Sequence, residues 1–274
     1  MANAGGAAEF RELVARHLGR VYHLCFRMTL RSDEAGAACY EAFQRAFLGQ
    51  RAMGEARSEA QSEAKIALWL LKIAAHVIEQ RIPATPEVSF DLLDETLRSE
   101  ATRTEEVSSL VDPEREVLLW ELKQGCMTAV VNCLSPGERM AFVMSAVLRL
   151  SDEEAALALG IKPSAFKVRL SRARKKIGDY LAPRCEHVDP RNPCHCPSRI
   201  GVAIRRGFIA RPARAEVNLR RSLPRFDDGQ HLHDAVAIYQ TLPEPDPPIA
   251  LRERIEQALA SGAWARAAEG ERAG

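Results

Sequence analysis

The sequence has no apolar run long enough to cross a membrane. Its longest apolar stretch, around residues 66–71, ends at Lys72 and is far shorter than the roughly 20 residues that a transmembrane helix needs. Near the N-terminus, Glu9 and Glu12 stand where a secretory signal would carry basic and then apolar residues. These absences predict a cytoplasmic protein without a membrane segment.

Aromatic residues, at 6% of the chain, and net charge, at +1, are both low. Ala, Leu, Arg and Glu dominate instead, and this mixture favours helices over sheets. Because the chain is not uniformly basic, nucleic-acid binding would require a local concentration of positive charge. The catalytic patterns G-x-S-x-G, the Walker loop and H-E-x-x-H are also missing. The sequence therefore offers no catalytic residues and predicts a protein that is not an enzyme.

Composition divides the chain into four segments. Residues 8–82 carry apolar positions three and four residues apart, which is typical of amphipathic helices, and contain no proline. Residues 83–111 contain two prolines and an excess of acidic residues, and we predict a linker there. Residues 112–182 are again helical, and residues 183–274, rich in Pro, Arg and Gly, are predicted to form a partly helical extension. We therefore expect an all-α fold of two small helical domains joined by a linker.

Helix boundaries are clearest in residues 112–182. Ser135 and Ser151 each precede a glutamate by three residues, which is the pattern of a capping box. Gly160 is suited to end a helix in the left-handed conformation, and Pro163 favours the start of the next helix. From Ser151 to about Leu181 the sequence therefore predicts a helix-turn-helix.

The second helix of this unit is strongly basic, and no acidic residue occurs between Glu154 and Asp179. Apolar residues recur at helical spacing on one face, so the cations fall on the others. Such a helix can lie in the major groove, where arginine binds guanine edges and lysine or arginine binds phosphates. A solvated basic surface would show the same charge run. We expect contacts to bases from Lys167, Arg169, Arg172 and Lys176, and contacts nearer the phosphates from Arg174 and Lys175.

Several stretches resemble the extracytoplasmic-function (ECF) sigma factors of bacterial RNA polymerase. Leu134–Leu181, LSPGERMAFVMSAVLRLSDEEAALALGIKPSAFKVRLSRARKKIGDYL, is similar to sigma region 4, most closely through LSDEEAALALGI and KVRLSRARKKI. Upstream, FRELVARHLGRVYHLCFRM, SDEAGAACYEAFQRAF and LWLLKIAAHVIEQRI resemble sigma region 2 in the same order. The resemblance covers most of residues 9–182.

This resemblance implies a protein that directs the polymerase to specific promoters. Region 4 would recognise the −35 element, and region 2 would recognise the −10 element and bind the clamp helices of the polymerase. Glu41, Phe43 and Phe47 are the implied polymerase contacts. The implied partners are the RNA polymerase core, promoter DNA and an anti-sigma factor, and no cofactor is required.

The residues by themselves also fit a stand-alone helix-turn-helix regulator whose N-terminal helices dimerise or sense a signal. Such a regulator would protect DNA without polymerase, and a dimer would prefer paired half-sites. A sigma factor would instead co-purify with core polymerase and bind free DNA weakly.

Three of the seven cysteines cluster in the extension. Cys185, Cys194 and Cys196 lie within twelve residues of one another together with His187 and His195. Thiolate and imidazole are preferred zinc ligands in tetrahedral sets of four. The cluster therefore predicts one Zn²⁺ held by the three thiols and one imidazole, although a reduced, proline-rich loop fits the same residues. The other four cysteines stand in apolar helical patterns and are expected in the core.

The rest of the extension carries a run of arginines, from Arg199 to Arg225, and two amphipathic stretches. The arginines could contact DNA or the acidic linker, or remain solvated. The stretches Leu232–Tyr239 and Leu251–Leu259 are predicted helices that could dock on the sigma-like regions. We hypothesise that the extension regulates activity in cis.

Overall fold

The computed structural model describes residues 4–29, 31–52, 63–99, 112–205, 209, 234–242 and 244–270. Within these residues the regular elements are helices, and one isolated backbone bridge joins Cys185 to Cys194. The all-α prediction is therefore confirmed. Across the same residues, no helix combines the length and the apolar character that a membrane span requires.

The chain divides into two compact units that do not follow its order. The first unit comprises Met1–Ala84, Val143–Val168 and Pro243–Gly274, and the second comprises Thr85–Phe142 and Arg169–Leu242. The four consecutive segments predicted from composition are not the same as these two units, and the boundaries of the segments stay a prediction.

The first unit begins with a bundle of three helices, α1 (Ala4–Met28), α2 (Ser32–Ala52) and α3 (Glu63–Arg81). These helices pack against one another. Residues of the predicted apolar stripes are buried in the bundle, as Leu24 and Phe43 illustrate, each with no exposed surface. The helical periodicity of residues 8–82 thus identified the faces that meet.

Segments from later in the sequence complete the first unit. A π-helical turn, Val143–Val147, contacts α1, and Arg20 of α1 donates a hydrogen bond to the carbonyl oxygen of Leu148 over 3.0 Å. Helix α7 (Asp152–Leu159) packs on α3. Two helices of the extension, α11 (Ile249–Ser261) and α12 (Ala263–Gly270), pack on the bundle.

The second unit contains α4 (Phe90–Ser99), α5 (Asp112–Asn132), α6 (Pro136–Phe142) and most of α8 (Pro163–Leu181). A 3₁₀ helix (Cys196–Arg199), α9 (Ile200–Arg205) and α10 (Ala235–Gln240) come from the extension. Its core includes Leu118 and Leu122 of α5 packed with Ile200 and Ala203.

Two parts of the extension and linker lie outside the described residues: positions 100–111 of the acidic segment, and nearly all of the arginine run after Arg206. The predicted helix Leu232–Tyr239 is described from Asp234 onward and forms α10, whose Tyr239 hydroxyl donates to the carbonyl oxygen of Met127 over 3.0 Å. The predicted helix Leu251–Leu259 is confirmed as α11.

Candidate nucleic-acid interface and metal centre

The turn between α7 and α8 is formed by the residues that the sequence marks. The Ser151 hydroxyl accepts a hydrogen bond from the Glu154 amide over 3.2 Å, and the Glu154 carboxylate accepts from the Ser151 amide over 2.9 Å. This is the predicted capping box. Gly160 follows α7 with φ of 63°, a left-handed conformation that a side chain would strain. The predicted helix-turn-helix is therefore present from Ser151 to Leu181.

Helix α8 separates an apolar face from a cationic one. Its buried positions include the four predicted ones, Phe166, Leu170, Ala173 and Ile177, with at most 4% of each exposed, and Tyr180 and Leu181 at its end are buried as well. The cations on the remaining surface are almost all exposed, namely Lys167, Arg172, Arg174, Lys175 and Lys176. Arg169 is half-buried, and its guanidinium lies close to the backbone of Gly137.

Several of these cations already contact acidic groups of the chain. The Lys176 ammonium lies 2.7 and 3.0 Å from the two carboxylate oxygens of Glu138, to which Ser135 also donates over 2.8 Å. Burial alone would raise the pKa of Glu138, but the hydrogen bonds from Lys176 and Ser135 outweigh burial and lower it. Lys176, predicted to contact bases, therefore connects α8 to the start of α6 in this structure.

The other cations are less constrained. Lys175 bonds Asp179 one turn along the helix over 2.9 Å, and Lys167 lies 4.0 Å from Asp152. Both pairs are solvent-exposed, so they hold the lysines weakly. Arg172 makes no hydrogen bond or ion pair to any residue that the structure describes, so its guanidinium is available to an external ligand.

The three predicted polymerase contacts lie in different environments on α2. Glu41 is half-buried, and its carboxylate bonds Arg45 over 2.6 Å and the Nε of Arg81 over 2.9 Å. Burial opposes its ionisation, yet the two guanidinium groups leave the pKa of Glu41 lowered. Phe43 is fully buried and packs edge-to-face on Phe10, and Phe47 is half-buried. Glu41 and Phe47 are therefore partly accessible, whereas Phe43 is not. Contact between any of the three residues and the polymerase stays a prediction.

In the loop that contains Cys185, Cys194 and Cys196, the residues that lie close together are only in part the zinc ligands that the sequence predicts. The His187 Nε2 lies 3.5 Å from the Cys196 Sγ, and the ligand atoms of Glu186, His187 and Cys196 all lie within 4.8 Å of one another. Among the described residues, this is the one such group. Glu186 was not predicted, although it directly precedes His187.

The other predicted ligands, Cys185, Cys194 and His195, lie outside that group. His195 is exposed, and its Nδ1 pairs with the Glu186 carboxylate over 2.8 Å. Cys185 and Cys194 lie opposite each other in the backbone bridge. The two thiols therefore flank the group of three without joining it.

A cavity of about 370 Å³ adjoins this loop, and its lining is largely apolar. Four thiols line it, those of Cys126, Cys185, Cys194 and Cys196. Cys126 and Cys133 were expected in the core together with Cys25 and Cys39, but both are half-buried, whereas Cys25 and Cys39 are fully buried. Burial raises the pKa of Cys185 to about 11 and also raises the pKa values of Cys126 and Cys196, so free thiols here are protonated at neutral pH.

Comparisons with known proteins bear on the helix-turn-helix first. Residues 124–177 match the family model for sigma-70, region 4, and this range contains the capping box, the Gly160 turn and most of α8. The ECF RNA polymerase sigma factor SigE of Mycolicibacterium smegmatis is 26% identical over 172 residues. Residues 124–177 are therefore similar to sigma-70 region 4, and a longer part of the chain is similar to an ECF sigma factor. Both matches support the resemblance that was predicted from the motifs.

The match between this chain and SigE covers 62% of the chain and 61% of the length of SigE. Among solved structures, the sigma factor RpoE in complex with the anti-sigma factor NepR from Bartonella quintana is 17% identical, with a TM-score of 0.41. That match covers 63% of this chain and 96% of the RpoE chain.

Proposed function

We propose that this protein is a sigma factor that directs core RNA polymerase to specific promoters. In this proposal α8 recognises the −35 element, and the α1–α3 bundle binds the polymerase and the −10 element. The proposed partners are the RNA polymerase core and promoter DNA, and, on family resemblance alone, an anti-sigma factor. No catalytic residue or cofactor takes part in the proposal.

The observation that carries the proposal is the exposed cationic face of α8. The helix is anchored by four buried apolar side chains, so its cations are presented on a rigid surface. The major groove admits one α-helix, and arginine can bind the O6 and N7 of guanine there with two hydrogen bonds. Because the family match covers this same helix, the charge is best explained as a DNA-binding surface.

The contacts within the protein rank the predicted DNA-binding residues. Arg172 is the strongest candidate for a base contact because it is exposed and has no partner among the described residues. Lys175 is suited to a phosphate, since its pair with Asp179 is exposed and easily exchanged. Lys176 is the weakest candidate because its ammonium would have to leave the nearly buried carboxylate of Glu138.

The test compares Arg172→Ala with Lys175→Ala in holoenzyme assembled from the full chain and core polymerase. Arg172→Ala is expected to weaken binding by about 1–3 kcal/mol and to relax specificity at one base pair of the −35 element. Lys175→Ala should weaken binding about equally on all sequences and reduce its salt dependence by roughly one ion. Both are measured on promoter fragments that carry single-base substitutions.

An Arg172→Ala holoenzyme that ranks the substituted promoters as the wild type does would contradict base contact by Arg172. Run-off transcription decides the larger question. If the chain adds no promoter-specific initiation to core polymerase but protects DNA by itself, the sigma-factor proposal is wrong and a stand-alone regulator is favoured.

A further inference from the structure

The loop that follows α8 brings three different metal-ligating groups together. The Cys196 thiol, the His187 imidazole and the Glu186 carboxylate lie within 4.8 Å of one another, and none of the three residues is fully exposed. A sulfur, a nitrogen and an oxygen at this separation can share one cation. Zn²⁺ accepts all three ligand types at about 2.0–2.3 Å.

Backbone hydrogen bonds hold the two ends of this loop together before any ion binds. The Cys194 amide donates to the carbonyl oxygen of Arg184 over 3.0 Å, and the Glu186 amide donates to the carbonyl oxygen of Cys194 over 3.2 Å. The Asn192 side-chain amide donates to the carbonyl oxygens of Ala182 and Cys185. The carboxylate of Glu186 also accepts the Cys196 amide. The three groups are thus preorganised, which reduces the entropy cost of binding.

Helix α5 supplies a fourth thiol from outside the loop. It packs on the 3₁₀ helix that begins at Cys196, and Cys126 of α5 lines the same cavity as Cys196. The neighbouring thiols of Cys185 and Cys194 belong to the paired backbone strands of the loop. Cys126 lies outside the group of three, but it is the cavity-lining thiol on α5 and so the one through which an ion would join the loop to the helical core.

We propose that Glu186, His187, Cys196 and Cys126 bind one Zn²⁺. His195 then has an outer role, since its ring nitrogen contacts the Glu186 carboxylate and orients it. The ion connects α5 to the segment after α8, so it stabilises the second unit. This site is independent of promoter recognition, and its failure would leave the proposed function standing.

The test uses the full chain purified without chelators and two serine variants on α5 and the loop. We expect one zinc per chain by elemental analysis and, with Co²⁺ as the probe, a sulfur-to-metal charge-transfer band. Cys196→Ser and Cys126→Ser should each weaken binding by more than the roughly 10–100-fold that outer-sphere changes cause. Cys133→Ser is the matched control, because this thiol directly follows the end of α5, seven residues after Cys126, and bonds the Ala129 carbonyl oxygen.

Circular dichroism establishes that each variant is folded before its metal affinity is compared. A wild-type chain that binds neither Zn²⁺ nor Co²⁺, or a Cys196→Ser variant that binds as the wild type does, would overturn the site. Loss of binding in Cys196→Ser but not in Cys126→Ser would overturn the assignment of the fourth ligand.

A second, independent observation concerns α11 and α12, which cover one face of α2. Trp264 of α12 is 1% exposed, and its indole nitrogen donates to the Tyr40 hydroxyl over 2.8 Å. Its ring centroid lies 5.3 Å from that of Tyr40 and 5.7 Å from that of Phe47. On α11, the Arg254 guanidinium lies 4.0 Å from the centre of the Tyr40 ring.

The covered face includes a residue that the family resemblance assigns to polymerase binding. Phe47 is one of the three implied contacts, and Tyr40 directly precedes a second one, Glu41. An ion pair of 3.2 Å between Arg11 and Glu256 further fixes α11 to α1. Polymerase and the C-terminal helices would therefore compete for α2.

We infer that α11 and α12 form an internal cover that reduces the affinity of α2 for core polymerase. The inference rests on the proposed function. The apparent affinity of a covered protein is reduced by the fraction of molecules in which the cover is open. Weakening the cover should therefore strengthen polymerase binding.

Trp264→Ala tests the cover directly, and the double variant Arg254→Ala with Glu256→Ala tests it without changing the core. Both should raise the affinity of the full chain for core polymerase, by on the order of tenfold if the covered state dominates. Gln257→Ala, an exposed position on α11, is the control and should match the wild type. Affinity is measured by titrating fluorescently labelled chain with core enzyme.

Unchanged or reduced affinity in the folded double variant would show that α11 and α12 do not compete with polymerase. If neither wild type nor any variant binds core enzyme, the proposed function itself fails. The two results are distinguishable. In the first the wild type still binds core enzyme, whereas in the second neither the wild type nor any variant binds it.

Discussion

His23 lies in the interior of the α1–α3 bundle and acts as a neutral hydrogen-bond acceptor. Only 2% of the residue is exposed, and the Nε of the fully buried Arg27 donates to its Nε2 over 3.2 Å. Burial, followed by the charges of Arg27 and Arg20, lowers the pKa of His23 from 6.5 to about 3. The imidazole is therefore uncharged in the folded protein at neutral pH.

This arrangement predicts a loss of stability in acid. Between pH 6.5 and 3 the unfolded chain binds a proton at His23 that the folded chain does not, so stability falls as the pH is lowered. At pH 5 the loss from this residue is about 2 kcal/mol. His23→Gln retains an acceptor for Arg27 without titrating. Urea unfolding at pH 7 and pH 5 should therefore show a smaller difference for the variant, and equal differences would contradict the role of His23.

Arg139 is a second buried polar residue, and the sequence pattern did not reveal its role. It is 4% exposed, and its guanidinium donates to the Asn132 side chain over 2.6 Å and to the carbonyl oxygens of Asn132 and Leu134 over 2.9 and 3.3 Å. These bonds satisfy carbonyl groups at the end of α5 that have no helical partner. Burial lowers the pKa of Arg139 to about 10, so it remains charged at neutral pH.

At the scale of elements, α4 shows how part of the acidic linker is held. Asp94 accepts two hydrogen bonds from Arg184, over 2.7 and 2.6 Å, and Arg184 lies 4.6 Å from the centre of the Tyr180 ring. The ring of Phe90 packs on Tyr180 at 4.7 Å. These contacts attach α4 to the C-terminal end of α8 and to the residues that directly follow it.

Because Asp94 attaches α4 to Arg184, removing the charge of Asp94 should reduce the stability of the protein. Asp94→Asn removes the charge that pairs with the half-buried Arg184 and should reduce the free energy of unfolding by about 1–3 kcal/mol. Asp91→Asn, one turn earlier on an exposed part of α4, should change it by less than about 0.5 kcal/mol. Urea denaturation measures both. Equal effects of the two substitutions would show that the pair with Arg184 contributes no specific stability.

At the scale of the whole molecule, the two compact units cut across the order of the chain. The extension is divided between them, since α9 and α10 belong to the second unit and α11 and α12 to the first. Both α10 and α12 place an aromatic residue in a buried site, Tyr239 and Trp264. The extension therefore contributes to both cores and is not an appendage of the helix-turn-helix alone.

The sequence by itself determined the main helices of residues 8–82 and 112–182, the turn at Gly160, the buried stripe of α8 and the resemblance to sigma region 4. These features depend on local periodicity, on caps within four residues and on a motif that stays together in the chain. Only the tertiary structure decided that Lys176 bonds Glu138, that Cys126 lines a cavity with Cys196 and that Trp264 covers α2. An amphipathic stripe shows that a face is buried but not which partner buries it, because the hydrophobic effect is non-directional.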